Sequence, residues 1–164
     1  MPMTHYMELL AANQPWNLIL FMAVPVILAE TVVVTELYAL AARASDGRVW
    51  RLNRAAGIVA GIYFTGVFLY LMRNAVAPLT AGGLWRGWID VGAVGFYLAG
   101  VGPLVGIALL DAGLLGRRLP RERRMRIHAV LVGAFLVVAH LAMILGMLNP
   151  ELGGAVHGAH LTHG

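Results

Sequence analysis

Four stretches of this chain are apolar for longer than a bilayer is thick, and that feature decides what it can fold into. A bilayer-crossing helix needs about 20 mostly apolar residues. Residues 16–42, 55–77, 89–110 and 127–148 each reach that length. None alternates apolar and polar residues as a barrel strand does, and in lipid a helix satisfies its own backbone. The expected fold is all-α: an integral membrane four-helix bundle over residues 1–150, followed by a flexible His-rich tail, 151–164. Charged residues make up 12% of the chain, against about 25% in soluble domains. An ordinary soluble enzyme is thereby excluded.

Turn formers mark the limits. Asn13-Gln14-Pro15 precedes the first span, and Ser45-Asp46-Gly47 separates it from the second. Pro78 is expected to end the second, Gly116 to Pro120 lies between the third and fourth, and Asn149-Pro150 closes the fourth. Thr4 to Ala12 reads either as a short interfacial helix or as a loosely ordered end.

All 12 basic residues are Arg. Arg43, Arg48, Arg51 and Arg54 lie between spans one and two; Arg117, Arg118, Arg121, Arg123, Arg124 and Arg126 lie between spans three and four. Only Arg73 and Arg86 fall on the other side. Such asymmetry marks the Arg-rich side as cytoplasmic and puts both termini outside, in the periplasm of a bacterial inner membrane. Trp16, Trp50, Trp85 and Trp88 all fall at predicted span ends, where an aromatic belt belongs. The net charge of +4 is thus a matter of topology, and no nucleic-acid partner is expected. The bilayer is the expected partner, with a homodimer or a larger membrane complex as a further one.

Small residues allow close packing in lipid. Gly57, Gly61 and Thr65 form one such stripe, and Gly95, Ala99, Gly102 and Gly106 another. Pro25 and Pro103 are expected to kink spans one and three and to free a carbonyl each.

Ionisable groups within spans are candidate functional residues. On span one, Thr31, Thr35 and Tyr38 share an arc, with Glu30 beside it and Glu36 at the border of the opposite apolar face. The arc, with Glu30, is expected to face the bundle interior. Glu36 lies nearer the Arg-rich edge, with Arg43 or Arg51 as its expected partner, and His128 is expected at the interface beside the Arg cluster. Span four carries His140, with Met143 and Met147 on the same stripe, and Met72 of span two in a position to face it. Imidazole with thioether suits copper, and His–Met is also a haem axial pair. Met1, Met3 and His5 at one terminus and His157, His160 and His163 at the other are candidate outer metal-capture groups. Arg73 and Asp90 are expected to pair between spans two and three. The alternative for each is structural: methionines that fill core gaps, a histidine bonded to a neighbouring helix, a loose tail.

The chain has no Cys, Glu-x-x-His, H-E-x-x-H, G-x-S-x-G or Walker sequence, so it reads as a binding or transport protein rather than an enzyme. Asn13-Gln14-Pro15-Trp16-Asn17, Ala29-Glu30-Thr31, Thr35-Glu36-Leu37-Tyr38, Gly95-Phe96-Tyr97 and Val138-Ala139-His140 resemble small four-span bacterial inner-membrane proteins of unknown function, loosely labelled permeases. The resemblance implies a four-span membrane fold and carries over no functional residue.

Three functions fit. One is the binding or handling of a transition metal, copper or zinc, or of a small solute at a buried Glu/His site. Another is a redox membrane protein, or the membrane subunit of a redox complex, holding haem b or copper at His140. The third is an accessory subunit without a ligand.

Overall fold

The structure, a computed structural model, describes residues 3–41 and 47–153. A short helix, α1 (His5–Ala11), precedes four helices long and apolar enough to cross a membrane. These are α2 (Trp16–Ala39), α3 (Gly47–Ala81), α4 (Trp88–Asp111) and α5 (Arg121–Met147). The chain is a multi-pass membrane protein with a four-helix bundle. Met1, His157, His160 and His163 lie outside the described residues.

Sequential helices pack side by side: α2 on α3, α3 on α4, α4 on α5. The first half of α4 packs on α5 and α1, and its second half on α3 and α5. The change comes at Gly100, where α4 breaks. Pro103, three residues on, has no N–H to give the Ala99 carbonyl.

Proline also shapes α2 and α3. The turn before Pro25 widens into a π-helix over Ile19–Ala23, and the turn before Pro78 does so over Met72–Val76. Pro25 leaves the Phe21 carbonyl without its helical donor, and the Tyr97 hydroxyl donates to it instead, at 2.5 Å. The Tyr63 hydroxyl donates to the neighbouring Leu20 carbonyl at 2.9 Å. The freed carbonyl expected at Pro25 is thus answered from α4. Pro78, expected to end span two, sits inside its last turns; α3 runs on to Ala81.

The α3–α4 seam is close because α3 presents glycine. A Cβ on Gly61 would overlap Ala108 and lie 2.7 Å from the Leu104 carbonyl oxygen. Gly106 packs on Leu131 of α5, whereas Gly95 and Gly102 face open space. Phe64, Tyr97, Phe135 and Tyr6 form an aromatic layer across the core, with centroid spacings of 5.1 Å for Tyr6–Tyr97 and 5.2 Å for Phe64–Tyr97. The cavity within this layer is only about 50 Å³.

The α1 helix closes the end away from the Arg-rich loops. Thr4 caps it, accepting from Met7 N, and donates to the Gly146 carbonyl at 2.9 Å. His5 gives its backbone N–H to Asp90 Oδ1 at 2.7 Å, and its Nδ1 lies 2.5 Å from Oδ2. Arg86 forks onto Glu8 at 2.6 and 3.0 Å and gives its backbone N–H to Asp90 Oδ2. That Glu8 hydrogen bond is the main reason the Arg86 pKa is raised. The expected Arg73–Asp90 pair is corrected: Asp90 is wholly buried against His5, and Arg73 is exposed on the π-helical turn of α3.

Asp90→Ala strands three donors and should cost about 2–4 kcal/mol of stability in detergent. Arg86→Met should cost at most about 1 kcal/mol, because its ion pair is partly exposed. Equal losses in denaturation would contradict this ranking. Burial pushes the Tyr6 hydroxyl from 10.0 up to about 12. The unfolded chain loses that proton first, so the stability Tyr6 contributes is complete below pH 10.0 and lost as pH rises to about 12. Tyr6→Phe should lose less stability over that window than the parent.

Candidate functional site

The buried face of α2 runs Phe21, Pro25, Ala29, Val32, Glu36, Ala39, a spacing of three and four residues that faces the bundle throughout. On α3 the matching face carries Asn53, Gly57, Ala60, Phe64 and Val67. On α4 it ends Leu104, Ile107, Asp111, and on α5 it starts at His128 and continues through Val132 and Phe135. Each helix therefore turns one polar residue inward near the Arg-rich end. Glu36, Asn53, Asp111 and His128 meet there, between 2% and 7% exposed.

His128 stands between the two carboxylates. Its Nδ1 is 2.8 Å from Glu36 Oε2, and its Nε2 is 3.3 Å from Asp111 Oδ2. Asn53 donates through Nδ2 to the Val32 carbonyl and to Thr35 Oγ1, both at 2.9 Å, which ties α3 to α2 beside the site. Gly57 makes room for Asp111: a Cβ there would overlap Asp111 Oδ2 and come within 2.9 Å of Ile107 Cγ2. Arg124 donates to the Leu110 carbonyl, a last-turn acceptor of α4. A cavity of about 240 Å³ adjoins the trio, lined also by Trp50, Asn53, Arg54, Arg124 and Met125.

A neutral imidazole has one N–H, yet both ring nitrogens of His128 face carboxylate oxygens. Both contacts are hydrogen bonds only when the trio carries one proton more than a neutral ring and two carboxylates hold. The trio therefore has a place for one further proton. It is poorly built for a metal, because the ring separates the carboxylates and their oxygens face opposite edges of it. Among the described residues, no group of three or more His, Asp or Glu side chains is arranged to hold a metal ion.

The other predicted residues fall elsewhere. The inward face of α2 is turned by roughly 100° from the expected arc. Glu30, expected inside, is exposed, and so is Tyr38. The reason lies in the threonines: Thr31 donates to the Ile27 carbonyl at 2.7 Å and Thr35 to the Thr31 carbonyl at 2.6 Å, so neither needs the interior. Thr35 alone of that arc touches the site. Glu36 pairs with His128 rather than an Arg; Arg51 bonds the Gly47 carbonyl, and Arg43 lies outside the described residues.

His140, expected deep, lies on the exposed face of α5 and donates through Nδ1 to the Leu136 carbonyl, 2.7 Å away on its own helix. Met72 is on α3, across α4 from α5. Met143 and Met147 line a groove under α1 with Met3, Met7 and Met22, without His140. His5 is held by Asp90. The residues that sequence reasoning missed are His128, Asp111 and Asn53. A signal was present: Glu36, Asn53, Asp111 and His128 stand at the Arg-rich ends of four successive spans, hence at one depth.

His128→Ala strands two buried carboxylates and should cost about 3–5 kcal/mol of stability. His140→Ala should cost within about 0.5 kcal/mol. Denaturation of both variants in detergent checks the pair, and the reverse order would contradict the placement.

No curated protein and no solved structure matches the chain. The family model for DUF6803 matches residues 1–162, so the chain belongs to this family of unknown function.

Proposed function

We propose that this is a solute-handling protein of a bacterial inner membrane, with Glu36, His128 and Asp111 as its proton-exchanging centre. The observation that carries the reading is the buried imidazole held between two carboxylates beside a cavity. Burying ionisable groups between spans is costly, and such groups mark ion and proton pathways. The proton that completes the trio can pass to or from the cavity, entering at one ring nitrogen and leaving from the other.

The Arg distribution supports an orientation with the cavity facing the cytoplasm and both chain ends in the periplasm. The cavity volume is below the roughly 300–1,000 Å³ of sites for drug-sized molecules, so the solute is small. Beyond the trio the aromatic layer closes the path to the periplasmic side, and passage requires it to part. The breaks at Pro25 and Gly100 adjoin that layer and supply the places where α2 and α4 can bend.

Proteoliposomes loaded with a pH-reporting dye test the reading. Imposed gradients of small polar solutes should drive internal pH changes faster than in empty vesicles. Glu36→Gln and His128→Gln should slow them at least tenfold. Wild-type protein that moves no protons with any solute would leave the accessory-subunit reading in its place.

A further inference from the structure

We infer that the cavity at the Arg-rich end binds a small organic carboxylate between Arg54 and Arg124, together with the proton held by Glu36, His128 and Asp111. This deepens the proposed function and rests on its proton-exchanging centre.

The charge balance of the cavity carries the inference. Its lining holds two acids, Glu36 of α2 and Asp111 of α4. Both are committed to the His128 ring. It also holds two guanidinium groups, Arg54 of α3 and Arg124 of α5. Among the described residues neither pairs with a carboxylate: the salt bridges of the molecule join other groups, and Arg124 is held only by the uncharged Leu110 carbonyl. With the extra proton in place, the acids and the imidazolium sum to one negative charge against two positive ones. One monoanion then neutralises the cavity. Without the proton the cavity is already balanced, and an anion is not favoured.

The remaining lining decides which anion. Trp50 and Met125 form an apolar wall beside the two guanidinium groups. A guanidinium grips a carboxylate through paired N–H donors, and an apolar wall suits the short carbon chain of an organic acid better than a fully hydrated inorganic ion. The position of Arg54 and Arg124 in the same cavity as the trio also distinguishes them from Arg123 and Arg126, which line a separate surface hollow with Pro120 and Glu122. The groups facing His128 are Glu36, Asp111 and these two Arg residues, so bound anion and bound proton favour each other.

Full-length protein in nanodiscs of zwitterionic lipid, titrated calorimetrically with propionate, tests this. Wild type should bind, and affinity should fall as pH is raised from mildly acidic to alkaline. Arg54→Gln changes an exposed side chain that makes no ion pair among the described residues, and it should weaken binding about tenfold or more. His128→Gln should flatten the pH dependence. No propionate binding, or wild-type affinity in Arg54→Gln, overturns the inference, while the vesicle proton fluxes stand or fall separately.

Discussion

A carbonyl or carboxylate buried between membrane-spanning helices has no water to turn to, so it must find its partner within the chain. That constraint organises this bundle at each level. Pro25 removes a donor from the Phe21 carbonyl, and Tyr97 reaches across from α4 to replace it. Asn53 bonds the backbone of α2. The same requirement, applied to charge, draws Glu36, His128 and Asp111 from three helices to one point. Removing the His128 ring takes the shared partner from both carboxylates at once.

The two ends of the bundle meet the constraint differently. At the α1 end, Asp90 is buried with three donors fixed on it by His5 and Arg86, and the Arg86–Glu8 fork closes over the top. Every acceptor there is committed, so the cluster fastens α1 and leaves little room for exchange. At the Arg-rich end the trio adjoins open volume, and its protons are fewer than its hydrogen-bonding positions. One end reads as a fastening and the other as a site. Gly57 serves the second: it provides the slot in which Asp111 reaches the ring.

Much of the architecture was legible in the sequence. The four spans follow from length and hydropathy alone, and Gly57, Gly61 and Pro25 announced a close helix contact and a freed carbonyl. The rotation of α2 was not legible. Thr31 and Thr35 look like an inward polar arc, yet each hydroxyl is satisfied by its own helix, so they carry no information about which face is buried. The inward stripe is marked instead by Ala29, Val32 and Ala39, small or apolar residues that a lipid-facing surface would also accept. His140 misled for a related reason: depth along a helix does not say which way a side chain points. The trio was hidden because Glu36 and His128 are 92 residues apart, and each has Arg neighbours in sequence that offer a simpler partner. Reading all four spans at one depth, rather than each residue against its own loop, brings the four polar residues together.

The central claim is that His128 bridges two carboxylates within the membrane. Solid-state NMR of bilayer-embedded protein, labelled at the histidine ring nitrogens and the Asp and Glu carboxyl carbons, measures this directly. The account predicts dipolar contacts from His128 Nδ1 to the Glu36 carboxyl and from Nε2 to the Asp111 carboxyl, the second weakened when Gly57→Ala displaces Asp111. A His128 ring with carboxyl contact at one nitrogen only, or at neither, would contradict it.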